Sequence, residues 1–241
     1  GSEMCIRDRN LCKQVTNSIT ASIGNYIVTA DKKQALELFK RHLFVNYTMI
    51  YFATLILVSV LNPFIDWWIG EKYILPSLTV ALIIINLVIQ MFRNTNFVFI
   101  DSFGLYWIQR WKSVIEATIN LVVSLILLAV FNLGINGVLL GTIASSFGYV
   151  MWIEAYYIFK YGLKEKLTVY IVQVIKYIIP LCVSIAVVFY SQTFFDFNGF
   201  TGLILKTVIA CCIGLFLYII TFCKSNEFLY VKNLLIRIIK R

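Results

Sequence analysis

Charged residues are scarce in this chain. They make up 14% of its 241 residues, whereas a typical soluble domain has about 25%. Hydrophobic residues make up 60%, and they form several apolar runs long enough for helices of about 20 residues that cross a bilayer. A barrel would show alternating segments of about ten residues instead. This composition excludes an ordinary soluble domain and predicts an all-α, polytopic membrane helix bundle.

Residues with catalytic or metal-binding chemistry are also few. The chain has one histidine, and it has no phosphate-binding glycine loop, zinc-protease motif or nucleophile elbow. Its 6 cysteines lack the spacing of a metal site. We therefore expect no catalytic residue, no metal, no cofactor and no enzyme activity. The histidine, His42, is expected to be a solvated side chain at the membrane boundary.

Composition divides the chain into four segments. Residues 1–9 resemble translated adapter sequence and differ in character from the rest of the chain, so the natural protein is expected to extend further upstream. Residues 10–42 are expected to end one helix and to open a basic helix with a capping box at Asp31. Residues 43–223 form the predicted lobe of about six transmembrane helices. Residues 224–241 form a basic amphipathic helix suited to an anionic leaflet.

The six predicted spans are separated by short polar segments. The first is expected to stop at Pro63, because proline interrupts helix propagation. The third and fourth should form a tight antiparallel hairpin around a turn at Asn136 and Gly137. The polar stretch from Arg93 to Lys112 is expected to lengthen a helix or to lie at the interface. The first three predicted spans cover about 43–61, 74–92 and 113–132. The fourth continues from the turn to about 157, the fifth lies within 169–190, and the sixth covers about 200–223.

Loops that are rich in lysine and arginine alternate along the chain with loops that hold few of them. Segments 31–42, 93–112, 160–166 and 224–241 hold four, three, three and five of these residues, and each intervening loop holds at most one. Because basic loops stay inside, both ends of this segment should be cytoplasmic. Membrane orientation therefore accounts for the net charge of +9, and we expect a lipid bilayer as partner and no nucleic acid.

Small and polar residues occur at helical spacing within the apolar segments. Gly137, Gly141 and Ser145 fall four apart, which predicts a helix face that a neighbouring helix can approach closely. Asn86 and Gln90 also lie four apart. They either bond to a neighbouring helix or face a polar lumen.

Five polar or charged residues lie in or near the apolar helices, where removing such groups from water costs free energy. Glu116 and Glu154 are equally far in sequence from position 135, so they should share one depth near an interface. Buried groups of this kind suggest a transport path, although Glu116 can also pair with Lys112 within one helix. Asn120 lies one turn deeper than Glu116. Two further lysines, at positions 176 and 206, either serve a path or extend to the interface.

Five stretches resemble bacterial polysaccharide flippases, of the superfamily that includes multidrug and toxin extrusion transporters. They are ASIGNYI at 21–27, NPFIDWWIGEKYILP at 62–76, GLYWIQRWKSVIEATINLVVSLILL at 104–128, GINGVLLGTIAS at 134–145 and WIEAYYIFKYG at 152–162. One departure is Ala155, where members of that family often have proline.

The resemblance implies the second lobe of a two-lobe transporter in the bacterial inner membrane. Its missing N-terminal lobe and an undecaprenyl-diphosphate-linked oligosaccharide would be its partners, and alternating access its mechanism. The residues expected along the substrate path are Arg93, Arg110, Lys112, Glu116, Asn120 and Glu154. An ion-coupled multidrug exporter on the same scaffold and a membrane glycan polymerase or ligase are the alternatives.

Overall fold

The computed structural model of the chain describes residues 23–27, 31–193, 199–230 and 232. These residues contain no strand, and six of their helices are long and apolar enough to cross a membrane. The predicted all-α polytopic bundle is therefore confirmed. The six helices are α1 (Lys32–Trp68), α2 (Ser77–Phe103), α3 (Lys112–Ala129), α4 (Ile135–Leu163), α5 (Thr168–Gln192) and α6 (Gly199–Phe222).

Helix α1 does not stop where the sequence predicted. It begins after the predicted capping box, where the backbone N–H of Asp31 donates to the side chain of Gln34 (3.1 Å). It then runs through Pro63 for 37 residues, so the predicted basic helix and the first span are one helix. Proline removes one helical hydrogen bond and crowds the carbonyl four residues earlier, but the neighbouring Asn62 side chain donates to the carbonyl of Leu75 (3.0 Å). This hydrogen bond connects the part of α1 around Pro63 to the loop that follows the helix.

Aromatic residues of α1 form the centre of the bundle. Tyr47 and Tyr51 are completely buried. The Tyr47 ring stacks on Tyr177 of α5 with a centroid distance of 4.4 Å. The hydroxyl of Tyr51 donates to the carbonyl of Gly214 in α6 (3.0 Å) and lies 2.6 Å from the hydroxyl of Ser184 in α5. Helices α5 and α6 thus pack on α1 through buried rings, and the Tyr51 hydroxyl bonds to both helices.

The turn between α3 and α4 lies earlier than predicted. Asn132 and Gly134 adopt positive φ angles of 53° and 54°, a conformation that glycine and asparagine tolerate better than other residues. Helix α4 begins immediately afterwards, so the predicted turn at Asn136 and Gly137 is wrong. The side chain of Asn136 instead accepts a hydrogen bond from Thr79 of α2 (2.8 Å).

The predicted face of small residues packs against α3. Gly137, Gly141 and Ser145 are all buried. A Cβ atom at Gly137 would lie 3.2 Å from the Leu127 Cβ, and one at Gly141 would overlap the Ser124 hydroxyl. The two helix backbones therefore approach as closely as this small-residue face allows.

The basic segments gather at one end of the bundle, which we call the basic end. The Arg41 guanidinium near the start of α1 lies 4.1 Å from the ring centre of Tyr230, just beyond α6. Near the start of α1, Phe39 contacts Phe159 in the last turns of α4 (5.2 Å). Phe103 at the end of α2 packs against Gly162. The described parts of the basic segments therefore lie at the same end, and the cytoplasmic location of this end stays a prediction.

The opposite end, which we call the far end, holds the α1–α2 connection and the α3–α4 turn. There Trp67 of α1 contacts Phe200 of α6 (5.2 Å). Helix α2 runs past Arg93 to Phe103, so the first part of the predicted polar segment lengthens a helix. Its left-handed cap residue is Gly104.

Two predictions fall mostly outside the described residues. Of the predicted preceding helix, residues 23–27 are described and are helical. Of the amphipathic tail, Phe228 packs on Tyr218 with a centroid distance of 6.1 Å. The rest of its predicted apolar face, at positions 231, 235, 238 and 239, lies beyond the described part.

Replacing two glycines of α4 by alanine should have opposite effects. Gly141→Ala places a methyl group 3.0 Å from the backbone of Asn120 and Ser124, so we expect a loss of about 1–3 kcal/mol from overpacking. A Cβ at Gly148 would have no atom within 4 Å, so Gly148→Ala should stabilise by up to about 1 kcal/mol. Unfolding in mixed micelles, followed by circular dichroism as the denaturing detergent increases, measures both. Equal effects would contradict the close approach of α3 and α4.

Candidate functional site

Four charged side chains from three helices meet near the basic end. Arg93 comes from α2, Lys112 and Glu116 from α3, and Glu154 from α4. Arg93 is 3% exposed and Glu154 is completely buried. With two positive and two negative groups the cluster is neutral. We call these four residues the charge cluster.

Glu154 is held by both cations of the charge cluster. Its Oε1 accepts from Arg93 Nη2 (3.0 Å) and from Lys112 Nζ (2.7 Å), and its Oε2 accepts from Arg93 Nε (3.4 Å). Charge-assisted hydrogen bonds of this kind are about twice as strong as neutral ones. They offset the large cost of taking the carboxylate out of water. The pairing ties α4 to α2 and α3 at this depth.

Glu116 is the most open member of the charge cluster. Arg93 Nη1 donates to its Oε1 (2.8 Å) and Nη2 to its Oε2 (3.3 Å), and its side chain is 25% exposed. The pairing of Glu116 with Lys112 that sequence spacing allowed does not form, because Lys112 binds Glu154. Glu116, the partly exposed carboxylate of the charge cluster, is thus held by Arg93.

Neutral side chains complete the surroundings of Arg93. Its Nη1 also donates to Gln90 Oε1 (3.2 Å) and to the Ser146 hydroxyl (3.3 Å). The ring centre of Phe97 lies 5.1 Å from the guanidinium carbon and 4.9 Å from the Lys112 nitrogen. Each nitrogen of Arg93 therefore has an acceptor, and an aromatic face covers both cations.

The predicted common depth of the two glutamates is confirmed, since both carboxylates contact one guanidinium. This holds although the turn lies earlier than position 135. Helical side chains tilt toward the N-terminus of their helix. In an antiparallel pair Glu116 therefore leans away from the turn and Glu154 leans toward it, which brings their ends together.

Two π-helical segments surround Glu154 in α4. They span Ser146–Val150 and Ile158–Leu163. A π-turn inserts an extra residue and rotates the faces that follow it, and such segments are frequent at functional sites. They determine which face of α4 directs Glu154 toward Arg93. Regular α-helical spacing in the sequence does not predict this face.

A ladder of amides continues from the charge cluster toward the far end. Asn120 Nδ2 donates to the Thr142 hydroxyl (3.2 Å) and its Oδ1 accepts from Ser124 (3.1 Å). Asn86 Nδ2 donates to the carbonyl of Leu139 (3.1 Å). Gln90 donates to Ser146. Of the two interpretations left open for Asn86 and Gln90, bonding to a neighbouring helix is therefore the one observed.

Three residues from the sequence interpretation stand apart from the charge cluster. Arg110 is exposed and stacks on Trp107 at 4.3 Å. Lys176 is exposed on α5, and Lys206 lines a separate cavity at the far end. The structure thus brings together Arg93, Lys112, Glu116 and Glu154 among the predicted path residues, with Asn120 as the nearest extension.

His42 is not the solvated side chain that we expected. Its Nδ1 lies 3.2 Å from the hydroxyl of Thr95, and its ring packs edge-on against Phe99 (5.8 Å). The side chain therefore faces α2 and is half-buried against it.

Sequence reasoning missed Ser146 and Phe97, and it left the role of Gln90 undecided. Gln90 precedes Arg93 by three residues, so helical spacing places both on one face. No comparable signal links Ser146 to Arg93. Among the described residues no group of three or more histidine, cysteine, aspartate or glutamate side chains is placed to hold a metal ion.

No protein-family model, curated protein or solved structure matches the chain.

Matched glutamate substitutions should separate the charge cluster from a surface ion pair. Glu154→Gln leaves Lys112 without its partner in a buried site, so we expect a loss of about 3–5 kcal/mol. Glu37 pairs with Arg41 at 3.1 Å, with its side chain 65% exposed, so Glu37→Gln should cost about 0–1 kcal/mol. Denaturing-detergent titration of the two purified variants measures the difference. A similar small effect in both would show that the charge cluster is loosely held.

Proposed function

We propose that the chain forms one lobe of a bacterial inner-membrane transporter for surface polysaccharide synthesis. The substrate is an undecaprenyl-diphosphate-linked oligosaccharide, which moves from the inner to the outer leaflet. A second lobe, N-terminal in the same protein, completes the path, and the basic end is cytoplasmic. The observation that carries this proposal is the charge cluster buried among membrane-spanning helices, since intramembrane charges are costly and usually serve function.

The diphosphate enters the charge cluster by replacing Glu116. Phosphate oxygens match the two parallel N–H groups of Arg93, to which Glu116 is now bound at 2.8 and 3.3 Å. Because one anion replaces another, the donors of Arg93 are never left unpaired. The partial exposure of Glu116 makes it the member of the charge cluster that can leave.

Glu154 has the opposite role and stays in place. Its contacts with Arg93 and Lys112 hold both cations in the charge cluster. When Glu116 moves out, two cations face one carboxylate, and the net charge of +1 favours an anionic group. This combination attracts a diphosphate and still keeps each cation hydrogen-bonded.

The amide ladder offers hydrogen bonds beyond the diphosphate. Asn120 lies one helical turn from Glu116 in α3, beside the hydroxyl groups of Thr142 and Ser124. Amides and hydroxyls both donate and accept, which suits the hydroxyl groups of a sugar. These residues, with the charge cluster, form the proposed path. Arg110 is left out because it stacks on Trp107 at the surface.

The contacts of Glu154 favour an anionic substrate over an ion-coupled drug exporter. A cation-binding exporter needs a buried carboxylate that can accept H⁺ or Na⁺. Both oxygens of Glu154 are already bound to cationic side chains. Protonation would have to disrupt the contacts that hold three helices together.

Substitution of the two cations should lower glycan export in cells that depend on the full-length protein. We expect Lys112→Gln and Arg93→Gln to weaken diphosphate binding by about tenfold or more. Surface glycan should fall and lipid-linked oligosaccharide should accumulate. Glu116→Gln should keep export, because the diphosphate of the substrate replaces the Glu116 carboxylate at Arg93.

Arg110→Gln serves as the matched control, because it removes an arginine at the same end of the bundle without touching the charge cluster. Immunoblots of membrane fractions confirm equal protein levels. Normal surface glycan in both cation variants, or an equal defect in the Arg110 variant, would overturn the proposed path.

A further inference from the structure

A cavity of about 550 Å³ opens at the far end, between α1, α2, α5 and α6. Its volume is within the range of about 300–1,000 Å³ that ligand sites occupy. Most of its wall is apolar and comes from α1, α2 and α5. The apolar residues include Val58, Val80, Ile84, Ile85, Ile185 and Phe189. An apolar chain can therefore lie in it without displacing any polar contact.

Two polar donors point to a charged ligand in the same cavity. Lys206 lines it from α6, and the described residues provide this lysine with no ion pair. The side-chain nitrogen of Gln192 is buried and has no hydrogen-bond partner within the described part of the chain. Asn62, which also lines the cavity, is already bonded to Leu75 through both its amide atoms. Two donors thus remain for an external acceptor.

The depth of Lys206 fits the headgroup region of one leaflet. It lies seven residues after the start of α6 at Gly199, so its Cα is about 10 Å from the N-terminus of this helix, which lies at the far end of the bundle. Its side chain leans toward that end, because helical side chains tilt toward the N-terminus. The ammonium group therefore approaches the level of lipid phosphates while the cavity beside it stays in the hydrocarbon layer.

From this arrangement we infer that the cavity binds one anionic phospholipid of the surrounding leaflet. An acyl chain fills the apolar part, and the headgroup phosphate accepts hydrogen bonds from Lys206 and Gln192. The positive charge of Lys206, which has no ion pair within the described part of the chain, favours a headgroup with net negative charge. This site is separate from the charge cluster and does not depend on the proposed transport function.

Lipid retention by the full chain tests the site. The purified protein is delipidated and incubated with phosphatidylglycerol or phosphatidylethanolamine of identical acyl chains, and native mass spectrometry counts the bound lipid. One lysine contributes about 1 kcal/mol to binding an anionic lipid. We therefore expect Lys206→Gln to lower phosphatidylglycerol retention about fivefold, while Lys206→Arg retains it. Phosphatidylethanolamine should be retained less than phosphatidylglycerol by the unchanged protein.

Lys176→Gln is the matched control, since it removes another lysine of a membrane span that is exposed on α5. It should leave retention unchanged. Equal retention by the unchanged protein and Lys206→Gln would overturn the inference, as would equal losses in the two lysine variants or no preference for the anionic lipid.

Two carboxylates test whether Lys206 serves the protein instead of a lipid. Asp66 lines a small recess next to Lys206, and Asp196 lies in the segment that joins α5 to α6. Asp66→Asn and Asp196→Asn should retain phosphatidylglycerol at least as well as the unchanged protein. A loss in either variant equal to that of Lys206→Gln would assign the lysine to an internal ion pair and contradict the lipid site.

Discussion

The contact between Arg93 and Glu154 is the interaction on which the α2, α3 and α4 part of the bundle depends. Neither charge is stable alone at this burial, since an uncompensated ion in an apolar interior costs several kcal/mol. Each therefore requires the other, and Glu116 and Lys112 complete the pairing. Because Arg93 belongs to the helix that packs on α1, the charge cluster also fixes the α3–α4 hairpin to the aromatic core.

The rest of the bundle follows the physics of helices in lipid. Lipid tails are as apolar as leucine, so helices associate through close packing and hydrogen bonds rather than through burial of apolar surface. Gly141 and Ser145 allow α4 to approach α3, and the Tyr51 hydroxyl of α1 binds α5 and α6. Only 11% of the most apolar stretch of α3 is buried, which leaves the outward face of this helix for lipid.

The cationic side chains at the two ends of the bundle differ in their pairing with carboxylates. At the basic end, Arg93 and Lys112 are matched by carboxylates, so a new anion must exchange with one already bound. At the far end, Lys206 lies beside an apolar cavity without an ion pair among the described residues. The first arrangement suits a ligand that passes through, and the second suits a lipid that stays.

Hydropathy, helical spacing and loop charge by themselves determined the six spans, the grouping of basic segments at one end, the small-residue face of α4 and the common depth of Glu116 and Glu154. These features arise from local patterns that any stretch of chain carries within itself. Tertiary structure alone decided that α1 continues through Pro63, that His42 contacts Thr95, and that Arg93 receives both glutamates. Arg93 and Glu154 are 61 positions apart, and such pairs form only when helix packing and the π-helical turns of α4 bring them together.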